Sequence, residues 1–209
     1  MERKQNFPKA EKTETYMSDK SKKQQSDIRN RHKALRNAMS PEEIKEKSNM
    51  ICRKLQHTDW YTDCDIIYAY YPLGNEVNCL PFLEQAFRDG KRVALPKTLP
   101  ECRMEFYEVT SLSQVAEGGF HVMEPIESCS LLQKEDIVVL VPGVVFDKCG
   151  NRYGYGKGYY DRYFVRYPKL RRIALAYENQ VEAQLEVQKT DAPMEWIYTE
   201  GCIYSGKIS

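Results

Sequence analysis

The run Asp136-Ile137-Val138-Val139-Leu140-Val141-Pro142 has the length of a strand and is apolar at every inner position. A strand with no polar alternation has to be covered on both faces, which restricts the chain to folds with a buried, mostly parallel sheet. Cys64 to Tyr71, Arg92 to Leu95 and Ile173 to Tyr177 are similar runs. Segments with helical signals lie between them. Ser40-Pro41-Glu42-Glu43 supplies an N-cap, a proline at the first helical position and a glutamate at the third, which opens a helix through about Gln56. Leu80 to Arg88 reads as a helix ended by Asp89-Gly90, and a helix from Ser26 would place Ile28, Ala34, Leu35 and Ala38 on one face. Arg103 to Val109, Trp196 to Tyr198 and Ile203-Tyr204 are further strand candidates. The expectation is an α/β fold with a mostly parallel sheet and helices on both faces.

Ligands of such sheets bind beyond the C-terminal ends of the strands. That rule brings Tyr71 to Glu76, Pro96-Lys97 and Pro142 to Gly158 to one rim, although they are far apart in sequence. The last of these contains Asn151-Arg152-Tyr153-Gly154-Tyr155-Gly156-Lys157-Gly158-Tyr159-Tyr160-Asp161. A strand, a glycine loop and a helix in that order aim backbone N–H groups at an anion. Two common phosphate motifs do not fit. A P-loop needs glycine at 151 and Ser or Thr at 158, which are Asn151 and Gly158, and a dinucleotide fingerprint from Gly154 needs glycine at 159, which is Tyr159. Gly154, Gly156 and Gly158 still permit close backbone approach, Lys157 adds a mobile cation, and Arg152 can fork onto phosphate oxygens. Asp161 in the first helical turn could hold Mg²⁺ bridging to phosphate. On residues alone the alternatives stay open: the glycines can shape a turn, Asp161 can complement a helix dipole, and the tyrosines at 159, 163 and 167 can be core.

The chain has 209 residues, with 31 basic and 30 acidic side chains and a net charge of +1. This balance gives no general attraction to nucleic acid or to an anionic membrane. The polar segment 1–24 reads as a mobile tail whose lysines are diluted by Glu2, Glu11, Glu14 and Asp19, followed by one domain over 25–209. Seven cysteines without a Cys-x-x-Cys pair fit reduced thiols in the cytoplasm. No apolar stretch approaches the roughly 20 residues that span a bilayer, so no membrane role is expected.

Val141-Pro142-Gly143-Val144-Val145-Phe146-Asp147 followed by Gly150 to Asp161 resembles the signature of the 5-formyltetrahydrofolate cyclo-ligase (methenyltetrahydrofolate synthetase) family. The resemblance runs from about Ile28 to about Tyr198. It implies a three-layer fold like that of sugar-phosphate isomerases, a cytoplasmic monomer, and cyclisation of 5-formyltetrahydrofolate to 5,10-methenyltetrahydrofolate with ATP as co-substrate and Mg²⁺ as cofactor. It further implies that Lys157, Arg152 and Tyr160 act in the chemistry. ATP would be held by Gln25, Arg29, Arg152, Gly154, Gly156, Lys157, Gly158, Tyr159 and Tyr160. Folate would be held by Tyr71, Glu76, Tyr155, Gly156, Lys157, Gly158 and Tyr159, and the metal by Asp161 and Asp191. The chain departs from the family pattern at Gln25, where a phosphate-binding lysine is common, and at Tyr155, where an arginine is also used. A folate- or nucleotide-binding module without turnover and a sugar-phosphate isomerase on the same sheet are the competing readings.

Overall fold

A computed structural model describes residues 19–188 and 191–206. Helix α1 (Asp19–Asn37) is followed by α2 (Pro41–Gln56), a short α3 (Asp59–Asp63) and strand β1 (Ile66–Tyr68). Then come α4 (Leu80–Arg88), β2 (Arg92–Leu99), β3 (Arg103–Val109) and a small hairpin, β4 (Val115–Glu117) with β5 (Met123–Pro125). The second half contains β6 (Val138–Val141), β7 (Val145–Asp147), β8 (Arg152–Tyr153), α5 (Tyr159–Arg166), β9 (Arg171–Leu175), β10 (Val181–Glu182), β11 (Trp196–Tyr198) and β12 (Ile203–Ser205).

The main sheet has the order β12-β11-β9-β6-β1-β2-β3. From β11 to β2 every neighbouring pair is parallel, while β3 and β12 are antiparallel edges. Side chains alternate across it as the pleat requires. Ile67, Val93, Leu95, Val138, Leu140, Ile173 and Leu175 pack with α2 and α4 through Ile51, Leu55, Phe82 and Leu83. Tyr68, Ala94, Val139, Val141 and Ala174 point the other way, against Tyr163 and Phe164 of α5. The expected α/β architecture with both faces of the sheet covered is therefore present, and the apolar runs are apolar because neither face meets water.

Local signals set several boundaries. Helix α2 begins with a complete capping box: the Glu43 N–H donates to Ser40 Oγ at 3.2 Å and the Ser40 N–H donates to the Glu43 carboxylate at 3.0 Å. Other boundaries differ from the expectation. Of the run Cys64 to Tyr71 only Ile66–Tyr68 is strand. Strand β2 runs on to Leu99 because its antiparallel pairing with β3 extends to the Leu99–Arg103 turn. Helix α1 begins at Asp19, so residues 19–24 of the segment read as a polar tail belong to that helix, and 1–18 lie outside the described residues.

The buried face of α1 is not the one that apolar spacing suggested. Leu35 is exposed, as are Ala34 and Ala38, while Ser21, Gln25, His32 and Arg36 are buried. These four recur at helical spacing, so α1 buries a polar stripe. It docks by hydrogen bonds on loop surfaces that offer carbonyls and carboxylates. Ser21 Oγ donates to Glu186 at 2.9 Å, Arg29 Nε to the Gly154 carbonyl at 2.9 Å, and the His32 ring meets the Asn179 carbonyl at 2.8 Å and Glu182 at 2.6 Å. No described helix is long and apolar enough to cross a membrane. The seven cysteines are free thiols.

Candidate functional site

The order of the strands reverses between β6 and β1, and beyond the C-terminal ends of this pair the chain opens a cavity of about 430 Å³. Tyr70, Tyr71, Leu73 and Glu76 line it from the segment after β1, Pro96 and Thr98 from β2, and Pro142 from the segment after β6. The stretch from Arg152 to Asp161 forms another wall, α1 contributes Gln25 and Arg29, and Gln188 and Asp191 complete the rim. Lys97, expected on this rim, lies between Pro96 and Thr98 and therefore on the opposite face of β2, with its ammonium 5.9 Å from the centre of the Tyr107 ring. A larger cleft of about 750 Å³ lies at the opposite end of the sheet, where Ile66, Val138 and Arg171 begin their strands. It contains none of the glycine loop, and the cavity at the switch point is the one that gathers the chemistry.

The glycine loop is shaped by conformations that side chains resist. Gly156 and Gly158 have φ of +89° and +66°, in the left-handed region. A Cβ at Gly154 would lie 2.6 Å from Arg152 Nη1, so a side chain there would displace that guanidinium. The loop's base is fixed by Asp147, which is fully buried. One of its oxygens accepts from the N–H groups of Cys149 (2.9 Å) and Asn151 (3.0 Å). The other accepts from the Asn151 side chain and from the N–H of Leu185, both at 2.8 Å. A single carboxylate thus ties the start of the loop to the segment that leads towards Asp191.

Arg152 projects from β8 into the cavity wall with its guanidinium almost fully buried. Its Nη2 donates to Asp161 Oδ1 at 2.9 Å, its Nη1 to the Pro142 carbonyl at 3.3 Å, and it lies 5.4 Å from the centre of the Tyr160 ring. Arg152 and Asp161, nine residues apart in sequence, form one ion pair. The Tyr160 hydroxyl is buried without a hydrogen-bond partner among the described residues, and burial pushes its pKa up, so it is available as a neutral donor. Lys157 is exposed, with its ammonium 5.6 Å from the centre of the Phe120 ring. Burial lowers the pKa of Arg29, whose Nη2 donates to Gln25 Oε1 at 3.3 Å.

Across the cavity, Glu76 is only 5 % exposed. Its Oε2 accepts from the Leu73 N–H at 3.0 Å and its Oε1 from the Tyr155 hydroxyl at 2.7 Å. Burial raises its pKa, and the two hydrogen bonds and the charge of Arg36 oppose that rise. The second carboxylate near the glycine loop, Asp191, also has a raised pKa, chiefly through burial and further through the charge of Asp161. The two aspartates therefore lie within electrostatic reach of each other. Among the described residues no group of three or more His, Cys, Asp or Glu side chains could hold a metal. Two hard carboxylates lining the same cavity still fit Mg²⁺, which is commonly held by one or two carboxylates together with water and substrate phosphates.

Every residue proposed from the sequence for ATP, folate or metal lines this one cavity. Several lining residues gave no sequence signal. Phe120, Val122 and Glu124 come from the β4–β5 hairpin, whose tip places Phe120 6.4 Å from the Tyr159 ring. Thr98 is held by Glu124, which accepts its N–H at 3.0 Å and its hydroxyl at 2.7 Å. A lone aromatic after Gly118-Gly119 was the one local hint of this strap. Arg36, which donates to the Tyr155 hydroxyl, gave no sequence signal either.

Comparison with known proteins gives the same reading. The curated relatives include a probable 5-formyltetrahydrofolate cyclo-ligase of Caenorhabditis elegans, 24% identical over 86% of this chain and 94% of the relative. The mouse 5-formyltetrahydrofolate cyclo-ligase is 26% identical over 78% of this chain and 87% of its own. Among solved structures, the 5,10-methenyltetrahydrofolate synthetase of Aquifex aeolicus superposes with a TM-score of 0.78 at 29% identity, covering 88% of this chain and 94% of that one. The family model of the 5-formyltetrahydrofolate cyclo-ligases matches residues 20–200, from the first turn of α1 past the end of β11, and with it the chain belongs to that family.

Proposed function

We propose that this chain converts 5-formyltetrahydrofolate and ATP into 5,10-methenyltetrahydrofolate, ADP and phosphate at the switch-point cavity. The observation that carries the reading is the pairing of two unlike walls in one cavity. One wall has a guanidinium, an ammonium and a glycine loop, and the other has a buried carboxylate ringed by tyrosines. The first suits polyphosphate. The second suits a heterocycle with adjacent N–H donors, which a carboxylate can accept in pairs.

The chemistry asks for both. A formyl amide oxygen does not leave unaided. Its attack on the γ-phosphorus of ATP forms an O–P bond as ADP departs, giving an iminium phosphate. N10 then bonds to the formyl carbon and loses its proton, and phosphate leaves with the former formyl oxygen. Most of the catalysis is positioning and charge stabilisation. Arg152 and Lys157 hold the phosphate oxygens, Arg29 and Gln25 support the far end of the chain of phosphates, and Glu76 with Tyr71 orients the pterin. The Tyr160 hydroxyl donates beside Arg152. Asp161 and Asp191 would hold Mg²⁺, which when bound would supply charge neutralisation for phosphate oxygens. Arg152, already paired with Asp161, sets that carboxylate's direction.

Purified protein given 5-formyltetrahydrofolate, ATP and Mg²⁺ is expected to develop the near-ultraviolet absorbance of the methenyl product. Omission of ATP, or chelation of the metal with EDTA, is expected to abolish it. Folate binding by calorimetry without any product would instead select a binding module. ATP-independent turnover of a pentose phosphate would select an isomerase.

A further inference from the structure

Arg36 is a buried arginine of α1, 5 % exposed, and none of the ion pairs among the described residues includes it. A buried guanidinium without a counter-ion is costly. Its Nη1 reaches the Gly143 carbonyl at 3.4 Å, its Nε has no partner among the described residues, and its Nη2 donates to the Tyr155 hydroxyl at 2.9 Å. That hydroxyl in turn donates to Glu76 Oε1 at 2.7 Å. A hydrogen-bonded chain therefore runs from α1 to the opposite wall through one phenol of the glycine loop.

We propose that Arg36 and Tyr155 form a positioning relay for Glu76, with Tyr155 fixing the direction of the carboxylate and Arg36 acting through it as the remote counter-ion that keeps it charged. The inference rests on the reading that Glu76 accepts from the pterin. Glu76 has two oxygens and one backbone donor, the N–H of Leu73. Without Tyr155 its second oxygen has no donor and its plane is free to turn. A bidentate acceptor loses its value when its plane is not fixed.

Two cations of α1 face Tyr155: the Lys33 ammonium lies 5.2 Å from the centre of its ring, while Arg36 donates to its hydroxyl and is the one whose charge acts on Glu76. The titratable groups around Glu76 are Arg36 from α1, Tyr155 from the loop, Tyr160 from α5, Tyr177 after β9, and Tyr70 and Cys79 on either side of its own segment. All but Arg36 are neutral acids that burial keeps protonated. The Tyr155 hydrogen bond and the Arg36 charge both pull the Glu76 pKa down against burial. Removing either raises it, so protonation, which ends its role as a double acceptor, sets in at higher pH.

The test is a titration of 5-formyltetrahydrofolate onto the full chain, without ATP, across the pH range from about 5 to 8. Tyr155→Phe keeps the half-exposed ring and is expected to fold. It should weaken binding about tenfold at neutral pH, the lower end of what a hydrogen bond to a charged group contributes. It should also move the low-pH loss of affinity upward by about one pH unit. Arg36→Met should move the same limb in the same direction, and the two changes together should move it no further than the larger of them. A Tyr155→Phe protein whose limb coincides with that of the wild type would overturn the relay even if Arg36→Met does not fold. An additive double variant would show two independent effects and overturn it as well. Wild-type protein that binds no folate at all would count against the proposed function, which keeps the two failures distinct.

Discussion

An Asp147→Ala protein is expected to melt about 10 °C below the wild type in a calorimetric or circular-dichroism scan. The carboxylate is fully buried and accepts four hydrogen bonds, from Cys149, twice from Asn151 and from Leu185. Alanine leaves these buried donors without their acceptor. The cost of stranding polar groups after removing a buried charged partner is roughly 3–5 kcal/mol. In a chain of this size each kcal/mol shifts the melting point by about 2–4 °C. Asparagine is expected to recover only part of the loss, because its amide presents a donor to two of the four N–H groups. A melting point within about 2 °C of the wild type, less than one kcal/mol, would show that the turn does not depend on this carboxylate.

Lys157→Ala is expected to have the opposite profile. Turnover should fall by about 10²–10³, the range seen when one preorganised charge-stabilising group is removed. Stability should change by less than about 0.5–1 kcal/mol, since the side chain is exposed and its one aromatic contact, Phe120, is a weak cation–π pair. If the ammonium follows the phosphoryl group only in the transition state, kcat and kcat/KM fall together. A loss confined to the KM for ATP would make Lys157 a ground-state phosphate clamp. An unchanged kcat/KM would remove it from the site.

Parts of the molecule that depend on short-range chemistry were legible in the sequence. The Ser40 cap and Pro41 set the start of α2 because the capping box involves only neighbours. The glycine loop could be placed beyond a strand end because the apolar run before it cannot face water. Strands β7, β8 and β10 are two or three residues long and exist through their pairing with one another, which no local pattern announces. The orientation of α1 escapes local patterns for a related reason. Periodicity looks for apolar faces, and this helix buries Gln25, His32 and Arg36 against carbonyls and carboxylates, leaving Leu35 outside.

The site divides in the same way. Arg152, Lys157, Asp161 and Glu76 could be named from motif and resemblance, and all line the cavity. Their connections could not. Arg152 pairs with Asp161 directly, so the tasks assigned to the two ends of the loop, phosphate and metal, meet in one ion pair. The Arg36 relay joins residues 119 apart in sequence, and the Phe120 strap comes from a hairpin with no repeating pattern.

The central claim is that the formyl oxygen is phosphorylated within this cavity and leaves as part of phosphate. It can be followed with 5-formyltetrahydrofolate carrying ¹⁸O in the formyl group, turned over by the wild-type protein with ATP and Mg²⁺ and analysed by mass spectrometry of the released phosphate. The expected result is one labelled oxygen in each phosphate formed, in step with the methenyl product. Unlabelled phosphate with the label in water would mean that ATP hydrolysis and ring closure are separate events, and would contradict the account.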